Sequence, residues 1–263
     1  MDNMDFYEVI FKRKSIRKYK NEPLADSLLE RVNTCIGNLS PLYDDIKTEI
    51  VVLSGDDIKL LLPIRSPHYI TIYSENKEGW LVNAGYMLQQ LDLFLSANGI
   101  GACWLGMGMP KKGVALRNGL EFVITMAMGY PDEALHRDST AEFKRKATAE
   151  ISEVKNDLGD SKQADELIEA ARLAPSASNT QPWYFSGTGD SIIISRKLPN
   201  LLKAALYGKF NQIDMGIVMC HLKVAAVHLG KTMEFKREAA EVPKGHEYIA
   251  TAKLQVPGTK VDI

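Results

Sequence analysis

Four collinear internal matches constrain this chain more than any other feature of its sequence. ADSLLE at Ala25 matches ADELIE at Ala164, LSGDD at Leu53 resembles FSGTGD at Phe185, and EFVITMAM at Glu121 matches EYIATAKL at Glu247. Between them, Gly85, Leu91 and Gly99 meet Gly216, Leu222 and Gly230. The offset falls from 139 at the first match to 131 at the glycines and 126 at the last, as expected if the second copy has lost loop residues. Two unrelated stretches of mixed structure can match by chance at one place, but four matches in order point to duplication. The expected copies are residues 1–152 and 153–263. Packed about a pseudo-two-fold axis, they would imitate a symmetric dimer within one chain.

Local patterning gives both copies the same elements. Asp5–Lys12 reads as a short helix, and Leu24–Ile36 as an amphipathic one with Leu28, Leu29 and Val32 on one side. Glu49–Ser54, His68–Tyr73 and Glu121–Met128 are rich in β-branched and aromatic residues and read as strands. Leu81–Asn98 is apolar nearly all round, so it belongs in a core or at an interface, and Gly99 stops it. Asp132–Lys162 is charged and poor in apolar residues, and reads as a connector. The order then restarts, with helices at Ala164–Leu173 and Gln212–His228 and strands at Trp183–Ser186, Ser191–Ser195 and Glu247–Leu254. The fold expected is α+β, two tandem copies with antiparallel-rich sheets and long central helices.

Composition narrows the class. With 45% hydrophobic and 25% charged residues in 263, the chain has enough apolar material for a core and is not a disordered polymer. No apolar run approaches the roughly 20 residues of a membrane-spanning helix, and the N-terminus lacks the apolar core of a signal peptide. Cys35, Cys103 and Cys220 are too far apart for a disulfide framework or a zinc site. A cytoplasmic protein without a membrane partner is expected. The net charge of −1 argues against nucleic acid as the main partner, yet six of the 32 Lys and Arg residues crowd into residues 12–20.

Three segments carry candidate chemistry. In Arg13-Lys14-Ser15-Ile16-Arg17-Lys18-Tyr19 the cations could simply complement a helix C-terminus. As an extended stretch, however, Arg13, Ser15 and Arg17 share a face and could converge on a phosphate. Ala174-Pro175-Ser176-Ala177-Ser178-Asn179-Thr180-Gln181-Pro182-Trp183 could be a polar turn that caps a helix. It also carries the donors, acceptors and flat surface needed to hold a heteroaromatic ring. Gly99-Ile100-Gly101-Ala102-Cys103-Trp104-Leu105-Gly106-Met107-Gly108 follows a helix instead of opening one, so it is no dinucleotide fingerprint. It reads as a glycine-rich loop that brings backbone N–H groups close to a planar ligand. There is no H-E-x-x-H, the five histidines lack metal-like spacing, and no base beside Cys103 marks it as a nucleophile.

Together, RKSIRKY, APSASNTQPWYF and GIGACWLG resemble the FMN-dependent nitroreductase family, and the basic cluster Lys144-Arg145-Lys146 after GYP is similar to its C-terminal phosphate-binding segment. The resemblance spans nearly the whole chain but departs in order. The first copy has CIGNLSPLYDD where family members carry the PSxxNxQPW-type motif, and the second copy lacks the basic motif. Its long helix ends in HLGKTMEF, not GIGACWLG. In the family FMN lies at a homodimer interface, so the resemblance implies a fused pair with one complete site and one decayed. It implies that Arg13, Ser15 and Arg17, with Lys144 and Arg145, bind the phosphate and ribityl chain, and that Lys14, within the same motif, contacts the ring side. Pro175, Ser176, Ala177, Ser178, Asn179 and Gln181, with Trp104, Leu105 and Gly106, would bind the ring. No side chain is implied as a nucleophile and no metal is required. The implied activity passes electrons from NAD(P)H through FMN to a small-molecule acceptor (a nitroaromatic, a quinone or a flavin) by a ping-pong mechanism. A monomer is expected, with a homodimer left open. The alternatives are a non-catalytic flavin or small-ligand binder and a protein that uses its basic patch for interaction.

Overall fold

The computed structural model describes residues 6–61, 63–114, 117, 119–155 and 161–255. The chain forms two compact units, one of Lys12–Glu142 and one of Met1–Phe11 with Phe143–Ile263. The expected boundary at residue 152 therefore differs from the observed division, and helix α1 (Phe6–Ile10) belongs with the C-terminal residues.

The unit of residues 12–142 runs α2 (Asp26–Gly37), β1 (Thr48–Ser54), β2 (Ile58–Leu60), β3 (His68–Ser74), α3 (Trp80–Ala97), β4 (Gly101–Leu105), β5 (Gly108–Pro110) and β6 (Glu121–Gly129). Its main sheet has the order β1-β3-β6-β4, with every pair antiparallel. β3 and β6 are buried along most of their length, which is why their sequences run apolar where a half-exposed strand would alternate. A core cluster of Leu53, Ile58, Tyr69, Cys103, Leu105 and Ala127 ties the sheet to the short β2–β5 ribbon. The loop expected after α3 is instead largely a strand. The glycine-rich stretch after α3 is β4, paired with β6 from Gly101↔Gly129 to Leu105↔Thr125, and only Gly106-Met107 turns. Gly99, at φ +78°, does stop the helix. Gly101 serves close packing, since a Cβ there would lie 2.9 Å from Ile16 Cγ2.

The other unit continues with α4 (Thr148–Ile151), α5 (Ser161–Arg172), β7 (Trp183–Thr188), β8 (Ser191–Lys197), α6 (Leu201–His228), β9 (Thr232–Lys236) and β10 (His246–Gln255). α6 begins before the expected Gln212 because the helix runs through Gly208. The presumed connector is also partly ordered structure. Ser152 and Lys155 form parallel bridges to Phe185 and Thr188 along β7, while residues 156–160 lie outside the described residues.

The sheet order here is β7-β8-β10-β9, again antiparallel throughout. Each unit thus places two strands, a long helix and two further strands so that the fourth strand lies between the second and the third. The four internal matches fall on α2 and α5, the ends of β1 and β7, the helices α3 and α6, and β6 and β10. Gly230, at φ +67°, closes α6 as Gly99 closes α3. The offset does not fall evenly, however. The β7–β8 connection is only Gly189-Asp190, whereas β2 and a longer loop separate β1 from β3. In compensation α6 has 28 residues to the 18 of α3.

Candidate functional site

The basic segment is extended, as its alternation suggested, and it is strapped down on both sides. Ile16 N–H donates to Ala102 O of β4 at 2.9 Å. On the other side, Asp132 N–H donates to Lys18 O, Arg137 N–H to Lys12 O and Lys20 N–H to Tyr130 O. Glu133 Oε1 accepts the backbone N–H of Arg17 and of Lys18 at 2.6 and 3.1 Å, and its Oε2 lies 3.3 Å from Lys14 Nζ. Burial raises the Glu133 carboxyl, but these N–H groups and the Lys14 ammonium outweigh it and hold it below the usual range.

Arg13, Ser15 and Arg17 do turn together. Arg13 Nη2 lies 3.4 Å from Ser15 Oγ, and Arg17 Nη1 lies 3.5 Å from Ser15 O. Their surroundings differ sharply. Arg13 is 1% exposed, with Nε 3.0 Å from Asp92 Oδ2 in the middle of α3, whereas Arg17 is exposed. Sequence reasoning missed Asp92, because a single acid in an apolar helix gives no local sign of its partner.

Beside Arg17 lies a recess of about 120 Å³, lined by Leu60, Ile64, Cys103 and the run Trp104 to Gly108. Pockets that enclose a whole ligand run to roughly 300–1,000 Å³, so this recess admits part of a ring and not a whole cofactor. Trp104 is half-buried, and its indole N–H is buried without a hydrogen-bond partner among the described residues. Burial pushes the Cys103 thiol up against the pull of Arg17 and Arg13, the opposite of what activates a thiolate. The contribution of Leu60 and Ile64 was not legible, since β2 is three residues long.

In the other unit, residues 144–146 and the loop after α5 interlock. Arg145 Nη1 donates to Asn179 Oδ1 at 2.6 Å and to Phe143 O at 2.8 Å, and its Nη2 to Leu173 O. Asn179 Nδ2 donates to Lys144 O, and Lys146 N–H to Gln181 Oε1 at 2.8 Å. Arg145 and Gln181 thus shape the loop, while Lys144, Ser178 and Asn179 are exposed, and Pro175 is buried. Four non-glycine residues have positive φ among the described residues: Lys144 (50°), Ser178 (49°), Asn179 (57°) and Gln181 (48°). All four lie in this cluster. Strain gathered in one place marks a conformation that the surroundings impose, as ligand-binding loops commonly show.

Both long helices send a buried polar side chain to the loop before the first strand of their unit. Asn83 Oδ1 accepts Leu42 N–H at 2.7 Å and Tyr43 N–H at 3.1 Å. Asp214 Oδ1 accepts Ala177 N–H at 3.0 Å. Neither was singled out in the sequence, although they lie 131 residues apart, the spacing of Gly85 and Gly216.

Among the described residues no group of three or more His, Cys, Asp and Glu is placed to hold a metal ion, and no helix is long and apolar enough to cross a membrane. Residues 5–226 match the family described as "Putative TM nitroreductase". Among solved structures, a "putative nitroreductase" from Thermotoga maritima MSB8 is similar over 97% of this chain and 95% of its own, with 23% identity and a TM-score of 0.63, a likeness of fold. A nitroreductase family protein from Clostridium novyi NT aligns with 49% of this chain and 87% of its own, at 20% identity and a TM-score of 0.41. An FMN-dependent nitroreductase from Clostridium difficile R20291 aligns with 52% of this chain and 96% of its own, at 16% identity and a TM-score of 0.41. No curated protein matches the chain.

Proposed function

The chain belongs to the nitroreductase family, and we propose that it is an FMN-dependent oxidoreductase that takes electrons from NAD(P)H and passes them to a nitroaromatic, quinone or flavin acceptor. The observation that carries this reading is the pairing, within one unit, of an extended cationic segment with the recess at the end of β4.

The residues present fit an anionic cofactor with a flat apolar ring. Arg17 offers an exposed guanidinium, with Lys14 and Ser15 partly exposed beside it. The recess offers apolar walls and the unpartnered indole N–H of Trp104. In this reading Arg13, Ser15 and Arg17, with Lys144 and Arg145, hold the phosphate and ribityl chain, and Lys14 reaches the ring side. Trp104, Leu105 and Gly106, with Pro175–Asn179 and Gln181, orient the ring. FMN, when bound, supplies the redox chemistry, and the protein supplies binding, orientation and electrostatics. Asp92 keeps the Arg13 guanidinium aimed while neutralising part of its charge, and Glu133 does the same for Lys14. No side chain need act as a nucleophile. Donor and acceptor use one site in turn, so the kinetics are ping-pong.

We infer, too, that the chain arose by internal duplication with one complete site and one decayed. The shared strand order, the two helix-closing glycines and the matched anchors Asn83 and Asp214 support this.

The deciding experiment is the visible spectrum of the purified protein with its flavin-to-chain ratio, which this reading puts at one. A colourless protein that also gives no saturable quenching of added FMN fluorescence would overturn it.

A further inference from the structure

Asp214 stands within α6 at 3% exposure, beneath the strained turn that follows Pro175. Oδ1 accepts the Ala177 N–H at 3.0 Å, while the nearby Thr180 hydroxyl donates to Asn211 Oδ1 at 3.3 Å. Oδ2 is buried and has no hydrogen-bond partner among the described residues. Nor does any cation there pair with it. Arg172 is bound to Glu169, Arg196 to Glu247, and His221 Nδ1 lies 2.9 Å from Ala170 O. A carboxylate buried without a cation is costly, and the group lowers that cost by taking a proton. Burial accordingly pushes the Asp214 carboxyl up to about 8, against the pull of the Ala177 N–H and the Thr180 hydroxyl.

The other unit shows what the position requires. Asn83 does the same work with a neutral amide, its Oδ1 taking two backbone N–H groups from the turn at Leu42-Tyr43 while Nδ2 faces Met87 Sδ at 3.8 Å. An uncharged acceptor therefore suffices to hold the loop. Around Asp214 the load is greater, because Ser178, Asn179 and Gln181 all adopt left-handed backbone. Each such residue carries backbone strain that neighbouring contacts must offset.

We propose that Asp214 is the positioning residue of the Ala177–Gln181 turn, acting as a neutral carboxylic acid whose Oδ1 holds the turn in its left-handed form. The turn in turn sets ligand affinity, a step that rests on the FMN reading above. Asp214 touches no ligand itself.

The test compares Asp214→Asn, which keeps the acceptor, with Asp214→Leu, which removes it. Amide hydrogen exchange over residues 176–181 of the ligand-free full chain reads the turn directly, and quenching titration reads FMN affinity. Asp214→Asn should keep both near wild type. Asp214→Leu should speed exchange at Ala177 and weaken FMN binding, each by about tenfold, the expected effect of one buried hydrogen bond. In wild type a protonated-carboxyl infrared band, absent from Asp214→Asn, should be present at pH 7. The proposal is overturned if Asp214→Asn loosens the turn as much as Asp214→Leu, if neither variant changes exchange, or if the band is missing. Should wild type bind no FMN while the exchange contrast holds, the positioning role stands and the FMN reading falls.

Discussion

Arg13 Nε and Asp92 Oδ2 lie 3.0 Å apart, and both side chains are almost wholly shielded from solvent. The pair joins the cationic segment to the middle of α3. Burial raises the Asp92 carboxyl, and Arg13 together with the Gln89 amide at 3.1 Å pulls it down. Removing one partner leaves the other charge buried, at a cost of roughly 3–5 kcal/mol, whereas exchanging both for apolar residues of similar volume costs far less. Asp92→Ala should therefore lower unfolding free energy by about that amount in urea titration. The double change Arg13→Met with Asp92→Leu should recover most of the stability while leaving FMN affinity low. A double variant that binds FMN as wild type does would remove Arg13 from the phosphate site.

Gly101 and Ile16 make a second joint in the same segment. A Cβ at residue 101 would meet Ile16 Cγ2 at 2.9 Å and Cβ and Cγ1 at 3.0 Å. Because Ile16 is fully buried and tied to Ala102 O, it has little room to yield. Gly101→Ala should cost about 1–3 kcal/mol through overpacking and should weaken FMN binding by displacing Arg17. Adding Ile16→Ala ought to restore the binding. If Gly101→Ala melts and binds as wild type does, the joint is slack.

Every described α-helix but α4, and most strands, were legible because their apolar spacing is local. The strand β4 was not. Glycines at 99, 101, 106 and 108 look like a loop, yet Gly101 is glycine because Ile16 packs on its backbone. The candidate site was legible as three segments, but their internal commitments were not. Arg145 reads as a phosphate ligand in the sequence, which gives no sign that its guanidinium also reaches Asn179, Phe143 and Leu173. Asp92 and Asp214 lie far along the chain from the residues they hold, and no periodicity marks such a partner.

Stability should carry the signature of Asp214. Its carboxyl is raised to about 8 in the fold, against about 3.9 for an unperturbed aspartate. The folded state therefore binds the proton more tightly than the unfolded chain does. The stabilisation is fully present below about pH 4 and is lost as pH rises through about 8. Its size is on the order of several kcal/mol. Histidines 68, 136 and 246, lowered by burial, act in the opposite sense, losing stability as pH falls. Subtracting the Asp214→Asn curve from wild type across pH 4–9 isolates the carboxyl. A flat difference would show that Asp214 is ionised throughout.

Asn179 separates backbone strain from side-chain contact at the turn. Its φ of +57° suits Asn and Gly better than Ala, and its amide accepts from Arg145 at 2.6 Å and donates to Lys144 O at 3.0 Å. Asn179→Gly loses the two hydrogen bonds but keeps the left-handed backbone at little cost, whereas Asn179→Ala loses both. Thermal or chemical denaturation should thus find Ala less stable than Gly by about 1 kcal/mol. FMN affinity should fall in both variants, because Arg145 loses its partner in each. Equal stability of Ala and Gly would mean that the turn relaxes out of the left-handed region once Asn179 is gone, and then Arg145, not the backbone at 179, is what fixes the loop.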